Sequence, residues 1–135
     1  MKKVGLINQP ISAIVSGLGH SDTLTIADAG LPIPATTERI DLALTAGVPS
    51  FTQTLLAITE ELFAEKAIVA EEMKAISPHI YEEVSKILGD VPIESVPHVV
   101  FKEQTAHSRA IVRSGEYTPY ANVILVAGAW GFDPE

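Results

Sequence analysis

The segment Asp22-Thr-Leu-Thr-Ile-Ala-Asp-Ala-Gly30 reads as one short strand with its stops. Thr23 to Ala27 are β-branched or apolar throughout, so both faces of the strand are buried, and Asp22 and Asp28-Ala-Gly30 bound it. Upstream, Pro10 suits the first turn of a helix whose apolar face carries Ile11, Ile14, Val15 and Leu18, with Gly17 and Gly19 ending it. Lys3 to Ile7 is a short strand or an ordered arm. Downstream, Leu31-Pro-Ile-Pro34 is extended loop, because each proline disfavours helix at the residue before it.

The alternation continues along the chain. Ser50-Phe-Thr-Gln53 has the pattern of a capping box, and Phe51, Leu55, Ile58 and Leu62 behind it share one helical face. Lys66 to Ala70 has strand length. Ser77-Pro78 is a second cap with proline at the first helical position; Ile80, Val84, Ile87 and Leu88 form the stripe behind it and Gly89 stops it. Pro92 to Val96 is a strand, His98 to Thr105 a helix, and Ala110 to Val112 and Asn122 to Ala127 the last strands. Strands alternating with helices predict an α/β fold: a single domain over residues 1–135, with a largely parallel sheet flanked by helices on both faces. Ligands in such sheets sit beyond the carboxyl ends of the strands, which directs attention to Asp28 and to the loops around His98 and Tyr120.

Composition excludes several classes. With 135 residues the chain has room for one domain, and 47% apolar residues with a mean hydropathy of +0.26 rule out general disorder. Seventeen acidic residues against nine basic ones give a net charge of −8, which repels nucleic-acid phosphates and anionic lipid. There is no cysteine, so disulfides, thiolate nucleophiles and cysteine-ligated metals are excluded; this fits a reducing compartment. The apolar stretch after Lys2 and Lys3 stops at Asn8, too short for a signal sequence, and Val123 to Phe132 covers about half of the roughly 20 residues of a membrane helix. A cytoplasmic chain with no membrane insertion is expected. The run from Val123 to Phe132 is equally an oligomer interface or a core strand.

Gly17-Leu-Gly-His-Ser-Asp22 begins like a dinucleotide-binding motif, but it has Asp22 at the third glycine and follows a helix instead of a strand. No histidine pair has metal-ligand spacing and no Gly-x-Ser-x-Gly elbow is present, so no metal is expected. Of the four histidines, His79 and His107 read as surface residues. His20, at a tight corner between helix and strand, is either structural or chemical. His98 follows Pro97 at a helix N-terminus, where the dipole favours the neutral ring; it is either a hydroxyl-binding or a capping residue. The polar set His20, Asp28, His98, Lys102, Tyr120 and Asn122 fits proton transfer and hydrogen bonding to a small polyhydroxylated ligand.

Longer blocks carry a resemblance. Leu18-Gly-His-Ser-Asp-Thr23, Ile26-Ala-Asp-Ala-Gly-Leu-Pro-Ile-Pro34, Arg39-Ile-Asp-Leu42, Ala70-Glu-Glu-Met-Lys74, His98-x-x-Phe-Lys102 and Ile111-Val-Arg-Ser-Gly-Glu-x-x-Pro-Tyr-Ala-Asn122 resemble, in order and over nearly the whole chain, the ribose pyranase / fucose mutarotase family. Gly30-Leu31, where fucose mutarotases usually carry Asn-Phe, sides with the ribose branch. The resemblance implies a cofactor-free interconversion of β-D-ribopyranose and β-D-ribofuranose that feeds a kinase. It also implies a ring-shaped homo-oligomer, typically a homodecamer of two stacked pentamers, with sites at subunit boundaries. Carried over by position, His20 is the proton donor; Asp28, His98, Tyr120, Ala121 and Asn122 bind sugar, with Lys102 nearby. The departure is at the end, Ala127-Gly-Ala-Trp-Gly-Phe-Asp-Pro-Glu135, where the family carries Ala-Gly-Val-x-Phe, so Trp130 bears on substrate fit or subunit packing. A fucose-type mutarotase and a non-catalytic sugar-binding module are the alternatives.

Overall fold

The computed structural model describes residues 1–129. Trp130 and the end of the Val123–Phe132 run lie outside the described residues. The elements are α1 (Gln9–Gly17), β1 (Thr23–Ala27), β2 (Arg39–Asp41), α2 (Phe51–Thr59), β3 (Ala64–Ala70), α3 (Glu71–Ile76), α4 (Pro78–Leu88), β4 (Ile93–Val96), α5 (His98–Thr105), β5 (Ile111–Arg113) and β6 (Val123–Ala127). Local chemistry accounts for most boundaries. Asn8 accepts from the Ile11 N–H to start α1, the Ser50–Gln53 capping box is formed at α2, and Gly89 ends α4 at φ +60°.

All strands belong to one six-stranded sheet in the order β2-β5-β1-β6-β3-β4. The sheet is mixed. Pairs β1/β5, β2/β5 and β3/β4 are parallel, while β6 runs antiparallel to both its neighbours, β1 and β3. The expectation of a largely parallel sheet is therefore corrected at its interior strand. The segment 114–122 that joins β5 to β6 has no helix, and a parallel return needs a crossover of a dozen or more residues. Val-Ile-Leu-Val-Ala is buried on both faces whichever way it runs, so the residues alone carry no sign of direction.

Alternate side chains of the strands feed two cores. Leu24, Ile26, Val69, Val112 and Leu125 pack with Ile11 of α1, Phe51, Leu55 and Ile58 of α2, Met73 of α3 and Val84 of α4. On the opposite face Ala27, Ile68, Ile111 and Ile124 surround Phe101 of α5. Both faces thus carry helices, as read from the sequence.

Of the two readings of Lys3 to Ile7, the ordered arm holds: residues 3–7 make no strand pairing and are anchored where the Leu6 N–H donates to the Glu61 carboxylate. Ser77 precedes α4, but its hydroxyl makes no cap; it donates to the Pro119 carbonyl at 2.7 Å. β2 and α3 were not anticipated. β2 is a three-residue edge strand with only Ile40 buried, and α3 is one and a half turns wedged between β3 and α4, both too short for a periodic signal.

Candidate active site

The antiparallel course of β6 governs the site. Because Ile26 pairs with Val123, the residues that precede β6 lie beside those that follow β1. Asp28 and Asn122 consequently meet at the carboxyl ends of the parallel strands. The Asp28 N–H donates to Asn122 Oδ1 at 2.7 Å, and Asn122 Nδ2 donates to Asp28 Oδ2 at 3.0 Å. The remaining carboxylate oxygen, Oδ1, accepts from the Gly30 N–H at 2.9 Å. Asn122 and Ala121 are fully buried. Asn122 is thus spent on holding Asp28, and its amide orientation is fixed by accepting on one side and donating on the other. Burial raises the Asp28 carboxyl above its usual range, against the opposing hydrogen bonds from Asn122, Gly30 and Leu31 and the attraction of His98.

α5 delivers His98. Pro97 has no hydroxyl or carboxylate to cap the helix, and the Glu72 carboxylate of α3 takes the His98 N–H instead, at 3.0 Å. The His98 ring lies in an aromatic corner, stacked on Phe101 at 6.2 Å and edge-on to Tyr120 at 5.0 Å. Its Nδ1 is buried and has no hydrogen-bond partner among the described residues. Tyr120 holds a positive φ of 63°, a conformation uncommon for a residue with a side chain, and the Ser77 hydroxyl fastens the carbonyl just before it.

These side chains line an open cleft of about 530 Å³, bounded by Asp28 to Pro32, His98, Arg113, Glu116, Tyr117, Pro119 and Tyr120. The volume suits a small ligand. Arg113 and Glu116 were present in the sequence blocks but had not been assigned a role; their position just past β5 was the signal that could have found them. Glu116 is occupied structurally. Burial pushes its carboxyl up, but hydrogen bonds from the Phe51 N–H and from Thr118 outweigh this and hold it below the usual range. Among the described residues no three His, Asp or Glu side chains gather closely enough to hold a metal ion.

Two expected site residues lie elsewhere in the same chain. Lys102 is exposed one helical turn beyond His98 and does not line the cleft. His20 precedes β1, so it sits at the opposite end of the sheet from Asp28. Its Nε2 is 3.0 Å from the Glu65 carboxylate at the start of β3. Five strand residues separate the two ends, about 17 Å at roughly 3.3 Å per residue. The structure brings together Asp28, His98, Tyr120, Ala121 and Asn122 and leaves His20 apart.

A model of the RbsD / FucU transport protein family matches residues 1–130. D-ribose pyranase of Coprothermobacter proteolyticus is 53% identical, the alignment covering 95% of this chain and 98% of that protein. D-ribose pyranase of Pasteurella multocida is 50% identical with the same coverage. Among solved structures, Bacillus subtilis RbsD complexed with D-ribose superimposes with a TM-score of 0.93 at 42% identity, covering 96% of this chain and 98% of that one. No helix among the described residues is long and apolar enough to cross a membrane.

Proposed function

The chain belongs to the RbsD / FucU transport protein family, and from that premise we propose that it is a D-ribose pyranase, interconverting β-D-ribopyranose and β-D-ribofuranose by acid–base opening and closing of the ring. The observation that carries this reading is the cleft in which a half-buried, amide-braced carboxyl, Asp28, faces a helix-terminal imidazole and a tyrosine.

The chemistry balances with protons alone. Opening removes the proton from the anomeric hydroxyl, breaks the bond between the anomeric carbon and the ring oxygen, and delivers a proton to that oxygen. Closing removes the proton from a different hydroxyl as its oxygen bonds to the aldehyde carbon, and delivers a proton to the carbonyl oxygen. Asp28, whose carboxyl burial raises above its usual range, lines the cleft where it can orient a sugar hydroxyl or exchange a proton with it. Asn122 and the buried Ala121 set its position, while His98 and Tyr120 offer hydrogen bonds and aromatic surface to the sugar, with Lys102 at the rim. A positioned acid–base group supplies roughly 10²–10⁴-fold, about 3–5 kcal/mol, which is adequate for a reaction that proceeds slowly in water. No cofactor is required by these steps.

His20 is the proton donor in this reading, and it reaches the sugar from the next copy of the chain. Exposed Ile76, Val99 and Tyr117 near the cleft end and the polar surface of His20 and Glu65 at the other end give two different surfaces to pair. Contact between unlike surfaces is heterologous, and such contacts form a ring where the rotation closes; a homodecamer of two stacked pentamers is the assembly we favour. Glu65 orients the imidazole within its own chain. The cytoplasm, where a kinase consumes the furanose, is the proposed compartment.

The test is saturation-transfer NMR on ribose and on fucose, paired with melting curves. Accelerated pyranose–furanose exchange of ribose is expected. Acceleration with fucose alone would make the protein a fucose-type mutarotase, and stabilisation by ribose without acceleration would make it a sugar-binding module.

A further inference from the structure

Arg113 ends β5 with β1 on one side and β2 on the other, paired in register with both Ala27 and Asp41. Its guanidinium spans the same three strands. Nε donates to the Ala29 carbonyl at 3.0 Å, in the turn just after Asp28, and Nη1 lies 3.2 Å from each oxygen of Asp41. Those contacts fix the plane of the group. Nη2 makes no hydrogen bond to any described residue, and Arg113 lines the cleft with its side chain 30% exposed.

A guanidinium anchored on two of its nitrogens holds the third in a fixed direction, with two N–H donors and no rotamer freedom left to lose on binding. Asp41, which it shares with Arg39 at 3.7 Å, offsets part of its charge, and the cleft also holds the carboxyl groups of Asp28 and Glu116. The cleft lining therefore carries no excess of positive charge for a phosphate. What remains is a rigid pair of donors beside a carboxyl acceptor, the complement of neighbouring hydroxyls on an uncharged sugar.

We infer that Arg113 is a specificity-determining residue of the site, donating from Nη2 to a ring hydroxyl of unphosphorylated ribose while Asp41 holds it in place. This rests on the pyranase reading above. It also accounts for β2, whose three residues contribute Asp41 as the back support of that arginine.

The experiment crosses protein variants with sugar variants. Dissociation constants are measured for D-ribose, 2-deoxy-D-ribose and 3-deoxy-D-ribose with the wild type, Arg113→Met and Arg113→Lys, each variant first checked for unchanged assembly. Arg113→Met should weaken ribose about 10-fold or more, as expected for a lost charge-assisted hydrogen bond. It should weaken the deoxy sugar that lacks the partner hydroxyl by less than about 2-fold, because that contact is already gone. Arg113→Lys, which keeps the charge but cannot hold both anchors and the sugar, should follow the same unequal pattern if Arg113→Met fails to assemble. Equal losses for all three sugars, or no loss, would mean that Arg113 only props the Asp28 turn, and the inference fails. A wild type that binds none of the sugars overturns the parent reading, and this one with it.

Discussion

The two ends of the sheet are made differently. At the end where β1 begins, the polar groups are exposed pairs: His20 with Glu65, and Asp22 with Arg109 at 3.3 Å. At the end where β1 finishes, the buried Asn122 side chain, the half-buried Asp28 and the backbone of the turn form a partly buried set of hydrogen bonds. Surface ion pairs of the first kind are worth about 0–1 kcal/mol, whereas stripping the partners from a buried amide costs about 1–3 kcal/mol. A motif in which His20 and Asp28 stand close in sequence therefore places the two at opposite ends of one sheet, and in the reading proposed above the first end meets a neighbouring copy while the second holds the ligand.

The strongest attack on that contrast is complementation. His20→Ala and Asp28→Asn should each lower ribose exchange by about 10²-fold or more, the low end of acid–base catalysis. Unfolding and reassembling the two variants together at equal concentration should restore activity. In a heterologous ring, about one quarter of the boundaries then pair an intact His20 with an intact Asp28. Activity that stays at the level of the separate variants would place both residues' work within one chain, against the separation described above.

Asn122→Ala tests rigidity. Its side chain is 1% exposed and satisfies Asp28 through both an N–H and a carboxylate oxygen, so truncation leaves buried groups without partners. A loss of about 1–3 kcal/mol is expected in denaturant unfolding, along with a raised KM for ribose. Glu65→Ala, by contrast, should shift stability by less than about 1 kcal/mol, since it removes only one exposed pair. Equal destabilisation by the two changes would erase the distinction between the ends.

How much of this was readable in the chain follows the same division. The five-residue strand Thr23–Ala27 and the helix His98–Thr105 have the bounds read from their residues, because turn residues stop both of them sharply. The site's carboxyl-end location was readable too. The direction of β6 was not, since an all-apolar strand is identical forwards and backwards, and that direction is what joins Asn122 to Asp28. Ser77 shows a different limit. Ser before Pro has the pattern of a cap, yet its φ of −126° and ψ of 59° turn the hydroxyl away to the Pro119 carbonyl, a partner 42 positions along the chain that no local pattern announces.

The ends should also differ in their response to pH. Asp22 is held below the usual range by the Gly19 N–H and by Arg109, so its contribution to stability is present above its unfolded value and lost as pH falls. Asp28 is raised, chiefly by burial, so the sign reverses. Its carboxyl favours the folded state when protonated, fully so below its unfolded value of about 3.9, and that contribution is lost as pH rises through the folded value. Melting curves of Asp28→Asn and wild type should therefore draw together or cross in the variant's favour as pH rises above about 4. Asp22→Asn should fall behind wild type as pH rises up to about 4 and keep a steady gap above it. A pH-independent gap for Asp28→Asn would show that its carboxyl is no more burdened by burial than an ordinary surface group.

The smallest effect concerns Lys102, which belongs to neither end within one subunit. It stands on α5 one turn past His98, exposed, with its ammonium in water outside the cleft. A solvated charge acts weakly on an uncharged sugar, and salt screens it further. For a rim position of that kind, Lys102→Ala should change KM for ribose by less than about 2-fold, with kcat unchanged. A loss of about 10-fold would instead mean that assembly buries the outer turn of α5 against the neighbour's His20 surface, carrying the ammonium into contact with sugar. The single substitution thus reports where the cleft stops: at His98 if the effect is small, or beyond it, across the subunit boundary, if it is large.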